Sequence, residues 1–156
     1  MIPNIDERLA SVIRALTEVI LPHLPPEASL AQEQVHLSVG HLQILRAQFD
    51  AIPGFEREEL DDAVAVGKAL CGAVSGGAET GKALAALASK VDAAGGGDVR
   101  AERMAISNAI AVLIRAVSAD GDAAGRASLS KVILEHEHPR AQKDRHWFAA
   151  FGFDTL

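Results

Sequence analysis

Residues 29–52 read SLAQEQVHLSVGHLQILRAQFDAI, and their periodicity decides the fold class. Leu30, Leu37, Ile44, Leu45, Phe49 and Ile52 recur at helical spacing and make one broad apolar face. Gln34, His41 and Gln48 fall on that same face, each seven residues after the last. Ser29 followed by Gln32 has capping-box spacing and marks the start. A helix this apolar belongs in the middle of a bundle, where buried polar groups must find partners. The expectation is all-α: a single-domain helical bundle of about six helices around a long central second helix.

Working outward, the first helix covers about residues 5–20 with Ile5, Leu9, Val12, Ile13, Leu16, Val19 and Ile20 inward. Pro22, Pro25 and Pro26 end it. The second helix is expected to stop near Pro53-Gly54. A third covers about 56–74. Glu56, Glu58, Glu59, Asp61 and Asp62 crowd its first turns, which suits the positive end of a helix dipole better than a metal cluster. Gly67 and Cys71 are small and let a neighbouring helix approach. A fourth, about 79–94, turns Leu84, Leu87 and Val91 inward. Gly95-Gly96-Gly97 is the clearest break and the candidate joint between a front and a rear half. The fifth starts at an Asp98 cap, carries Val99, Ile106, Ile110, Leu113, Ile114 and Val117, and ends at Asp120-Gly121. The sixth, about 122–137, is cut by Pro139, with a short helix after it. No segment alternates as a strand would. The first, second and fifth helices are predicted to form the core.

Composition narrows the function classes. A chain of 156 residues, 49% hydrophobic and 23% charged, sits in the globular range. A net charge of -6 without a basic patch argues against nucleic acid and anionic membrane. Every long apolar run is interrupted, so none spans a bilayer. The single Cys71 excludes an internal disulfide framework. MIPNIDERL turns acidic and helical at once, unlike a signal peptide, and the expected location is cytoplasmic.

Two enzyme-like motifs fail on context. GGAETGKA, residues 76–83, nearly matches a P-loop, but Ala83 stands at the hydroxyl position and no strand precedes it. Glu33 with His36 and Glu135 with His138 have the E-x-x-H spacing of di-iron bundles. On the helical wheel Glu33 and His36 lie opposite the apolar face, and His138 immediately precedes Pro139. The EHEH tract at residues 135–138 has the ligand types to hold a surface metal ion by itself, a minor alternative set beside the di-iron one. His41 and His136 fit buried neutral histidines, and Ser128 and Ser130 lack a nucleophile context. No catalytic residue, cofactor or metal site is predicted.

The candidate ligand-binding set is Gln34, His41, Gln48 and Arg103, since Arg103 falls on the apolar stripe of the fifth helix with Ser107 beside it. These are read as one polar seam, either a closed network or the floor of a pocket. Trp147, Phe148, Phe151 and Phe153 in the last ten residues must dock on the bundle or on another chain. The functional expectation is a non-catalytic helical protein that binds a protein partner and forms a homodimer. The alternative is a small-molecule binder or enzyme with a polar pocket on the second helix.

RLASVIRALTEVILPHL, LAQEQVHLSVGHLQILRAQ and RHWFAAFGFD resemble a family of small helical bacterial proteins encoded beside aminoglycoside-phosphotransferase-like kinases and acyl-CoA dehydrogenases. The resemblance covers the first fifty residues and the last ten. It implies an accessory role and carries over no catalytic residue.

Overall fold

The computed structural model describes residues 4–149, and every regular element among them is helical. The chain divides into two units, Met1–Ile52 and Pro53–Leu156.

In the first unit, Asn4 opens α1 (Ile5–Arg14) with a capping box: its side chain accepts from the Glu7 N–H while Glu7 reaches back to the Asn4 N–H. Helical winding continues through a π segment, Ala15–Ile20, and a 3-10 turn, Leu21–His23. Leu24 is extended and ends the run. The chain returns along α2 (Ser29–Gln48), which packs on α1. Val39 is buried, with Gln32, Val35 and Leu42 half-buried beside it. The expected capping box at Ser29 is not formed. Ala28 stands at the N-cap position, and the Gln32 amide donates instead to the Pro25 carbonyl at 2.9 Å.

The second unit is four helices, α3 (Ile52–Ala73), α4 (Ala78–Asp92), α5 (Val99–Asp120) and α6 (Ala123–Ala149). Leu60, Leu70, Leu87, Ile106, Leu113 and Val117 are fully buried and form its centre, with Val74, Ala83, Val91, Leu129 and Val132 around them. The helices run up, down, up and down. Gly67 of α3 meets Val91 and Leu87 of α4, Gly77 meets Asp120 at the far end of α5, and Gly125 of α6 lies against Ser75. This arrangement needs only short connections.

Three expectations are corrected here. The core is α3 to α6, not the first, second and fifth helices: α2 buries one side chain, Val39, while Leu30 is 69% exposed and Leu37 49%. Among the described residues there are five uninterrupted helical runs rather than six, because Pro53 does not end the second helix. It sits in the first turn of α3, where its missing N–H has no helical partner to lose. The run from Ser29 to Ala73 is therefore 45 residues, with a 3-10 turn at Phe49–Ala51 inside it. Pro139 likewise lies inside α6. One hydrogen bond to the Glu135 carbonyl is lost at an exposed position, and contacts of Arg140, Lys143 and Trp147 with α3 hold the helix beyond it.

The glycine run at residues 95–97 lies within the second unit as a built turn. Gly95 has φ +103°, a left-handed conformation open to glycine. The Glu102 carboxylate accepts from the Gly95 and Gly97 N–H groups at 2.8 and 2.7 Å. Asp98 caps α5 as predicted, accepting from Ala101 N–H.

Gly67 and Gly125 are both close-approach positions. A Cβ on Gly67 would stand 2.5 Å from Val91 Cγ2. A Cβ on Gly125 would overlap the Ser75 carbonyl, which is backbone and cannot rotate away. Gly81, by contrast, faces open space in mid-helix. Gly125→Ala should therefore lower stability by about 1–3 kcal/mol through overpacking, whereas Gly81→Ala should raise it by about 0.5–1 kcal/mol. Urea denaturation of the two variants reads both signs, and a stabilised Gly125→Ala would refute the close approach of α6 to Ser75.

Candidate functional site

Where α3, α5 and α6 converge, the second unit has a cleft of about 430 Å³. One side is apolar: Ala63 and Val66 of α3, Ile110 and Ile114 of α5, and Ile133 of α6. The other is polar, with Arg103, Ser107 and His136 beside a cluster of ion pairs. The volume lies in the range of small-molecule sites.

Glu59 is the centre of that cluster. Its side chain is 6% exposed. Lys143 lies 2.8 Å from its Oε1, and Arg140 3.2 Å from its Oε2. Arg103 reaches the same Oε2 only at 3.5 Å. Lys143 also pairs with Asp62, and Arg140 with Glu137 at 3.1 Å. Burial alone would push the Glu59 carboxyl up. Hydrogen bonding from Lys143, together with the charge and hydrogen bonds of Arg140, outweighs it and holds the carboxyl below its usual range. Burial pulls Arg140 and Lys143 down, but their carboxylate partners keep both above their ordinary values. One turn away, Arg100 and Glu56 pair at 2.5 Å.

Sequence reasoning missed Glu59. It assigned the acidic start of α3 to a helix dipole, but α3 begins at Ile52 and its first turn holds no acidic residue, so Glu59 lies beyond the reach of that end. A usable signal was present. Glu56 with Glu59, Arg100 with Arg103, and Arg140 with Lys143 each stand three residues apart, on one face of three separate helices. Which faces meet is a tertiary matter.

The predicted ligand-binding residues are divided. Arg103 and Ser107 line the cleft. Gln34, His41 and Gln48 belong to α2 of the first unit, where Gln34 and His41 are exposed and Gln48 half-buried. The burial expected of Gln34 and His41 is thus not found, and the ion-pair partner of Arg103 is Glu59.

The segment that nearly matches a P-loop is a helix–turn–helix connection, as its context indicated. The α4 N-terminus that would receive a phosphate is occupied by the chain's own carboxylate. Asp120 accepts from Glu79 N–H at 2.7 Å, from Thr80 N–H at 3.1 Å and from the buried Thr80 hydroxyl at 2.6 Å. The Thr80 hydroxyl bond foremost, against the opposing effect of burial, holds Asp120 below the ordinary carboxylate range. Among the described residues no group of three or more His, Cys, Asp or Glu side chains could hold a metal. Cys71 is half-buried against α4, and burial followed by the Asp92 charge pushes its thiol up. Trp147 docks on the second unit, stacked on Phe55 at 4.2 Å between ring centroids. Phe148 is 44% exposed, and Phe151 and Phe153 lie outside the described residues. No helix among the described residues is long and apolar enough to cross a membrane.

Comparison with known proteins brings no match to this chain: no family model, no curated protein and no solved structure.

Proposed function

We propose that the protein acts by association rather than catalysis, as a homodimer joined through the outer face of α2. The carrying observation is an apolar stripe on that face that reads the same in both directions. Around His41 stand Leu37 and Leu45 at four residues, Gln34 and Gln48 at seven, and Leu30 and Ile52 at eleven. At about 100° per residue the six that belong to α2 lie on the side of the helix away from Val39, which faces α1, and Ile52 follows one 3-10 turn later. Leu30 is 69% exposed, Leu37 49% and Leu45 48%.

A stripe symmetric about its midpoint is what an isologous contact requires, because residue i meets j while j meets i. Two antiparallel copies of α2 crossing at His41 set Leu37 against Leu45 of the second copy and Gln34 against Gln48. Polar residues repeating every seven positions in an apolar seam set register in such pairings. A hairpin of two helices with one buried side chain also has too little core of its own, and a second hairpin supplies the missing half.

The test uses charge. By light scattering at high micromolar concentration the wild type should be a dimer. Leu37→Glu and Leu45→Lys should each be monomeric. The double variant Leu37→Glu/Leu45→Lys should recover the dimer, because each Glu then faces a Lys across the two-fold. A monomeric wild type, or a double variant no better than the single ones, refutes the pairing.

A further inference from the structure

We propose that the cleft of the second unit binds a small amphiphilic carboxylate, with Arg103 taking the head and the isoleucines of α5 and α6 taking the apolar body. Glu59 is held by Lys143 at 2.8 Å and Arg140 at 3.2 Å, and Asp62 and Glu137 are engaged by the same two cations. These three carboxylates and two cations leave one negative charge, and Glu59 Oε1, although 2.8 Å from Lys143, accepts no well-aligned hydrogen bond. Arg103 balances that charge from a distance: its contact with Glu59 is a single one at 3.5 Å, the outer limit of a hydrogen bond, and its side chain is 38% exposed, so its donors rather than a surplus charge are what is left uncommitted.

A guanidinium has five donors in a planar fork. Arg103 spends one of them, poorly. Ser107, one turn along α5, and His136, on α6, also line the cleft, and neither makes a protein hydrogen bond among the described residues. The unspent capacity of the polar side is therefore a guanidinium donor fork with a hydroxyl and an imidazole beside it. A carboxylate matches the fork with two parallel hydrogen bonds and leaves an oxygen lone pair for the hydroxyl. An amine would find every lining carboxylate already occupied by a cation.

The opposite side selects the body. Val66, Ile110, Ile114 and Ile133 offer only carbon to the cleft. Ile114 is 38% exposed, although it shares the apolar stripe of α5 with Ile106, Leu113 and Val117, which are buried in the core. Covering these side chains is the gain that a purely polar anion such as acetate cannot supply.

The experiment is calorimetric titration of the full chain with octanoate, acetate, octylamine and octyl phosphate, repeated on Arg103→Gln and Ile110→Ser. Octanoate should bind, with acetate and octylamine at least tenfold weaker. Arg103→Gln should reduce octanoate affinity at least tenfold while leaving the melting temperature within a few degrees, since this side chain is a minor partner of Glu59. Ile110→Ser should weaken octanoate and leave octylamine and acetate unchanged. Absence of octanoate binding at millimolar concentration, equal binding of octylamine, tighter binding of octyl phosphate, or an affinity indifferent to Arg103→Gln would each overturn the assignment. Because these arms read ligand affinity and not oligomeric state, their failure is distinct from failure of the α2 dimer.

Discussion

Leu113→Ala should cost the second unit about 2–5 kcal/mol of folding stability, because a buried leucine truncated to alanine loses its transfer energy and leaves a cavity. Leu113 is fully buried, as are Leu60, Leu70, Leu87 and Val117 in the same cluster. Leu60 and Leu70 belong to α3 and Leu87 to α4, so none of the three can move into the gap without shifting its own helix against the others. The cost should fall in the upper part of that range. Leu30→Ala is the control. Leu30 is 69% exposed, and its truncation should change stability by no more than about 0.5 kcal/mol. Urea denaturation of both variants, taken at equal and low protein concentration, measures the pair. A large loss at Leu30 with a small one at Leu113 would return the core to the second helix, against the packing described above.

Glu59→Ala should be the most damaging change among the charged residues, at about 2–3 kcal/mol. Removing one side of a buried ion pair strands its partners, which costs about 3–5 kcal/mol when they are fully enclosed. Here Arg103 and Arg140 are each 38% exposed and Lys143 24%, so part of their charge can be rehydrated. Glu59→Gln keeps the shape and some hydrogen bonds and should cost less. The pH dependence has a definite sign. A carboxyl whose folded pKa is depressed contributes stability that is present above its unfolded pKa, near the usual carboxylate value. That contribution is lost as pH falls through the lowered folded value. The wild type should therefore lose stability on acidification through this window, and Glu59→Ala should lose distinctly less over the same interval. Equal acid slopes would mean that Glu59 is not held by these cations.

Two features of the candidate site show how far the sequence could be read. Arg103 was legible because a lone guanidinium on the apolar stripe of α5 needs a reason, and it does line the cleft. Glu59 was not, because one acid among five in a row looks like a solvated helix start. Only the approach of α6, from Arg140 to Lys143, buries that acid while Glu58 and Asp61 stay exposed. His41 went the other way. Its place on an apolar face suggested burial, but α2 turns toward α1 through Val35, Val39 and Leu42, leaving His41 exposed.

What the sequence determined by itself is local. Helical periodicity, the absence of alternation, the Asp98 cap, the stop at Asp120-Gly121 and the small residue at Gly67 depend on neighbours within a few turns, and all are found in the structure. What only the tertiary structure decided is which apolar faces meet and whether a breaker breaks. Apolar spacing gives a helix a buried side without saying what buries it, so α3 to α6 rather than α2 became the core. A proline removes one hydrogen bond, and whether that ends a helix depends on its position and on contacts beyond it. Pro53 falls in a first turn where the bond was absent already, and Pro139 is bridged by ion pairs and a stacked tryptophan that hold α6 against α3.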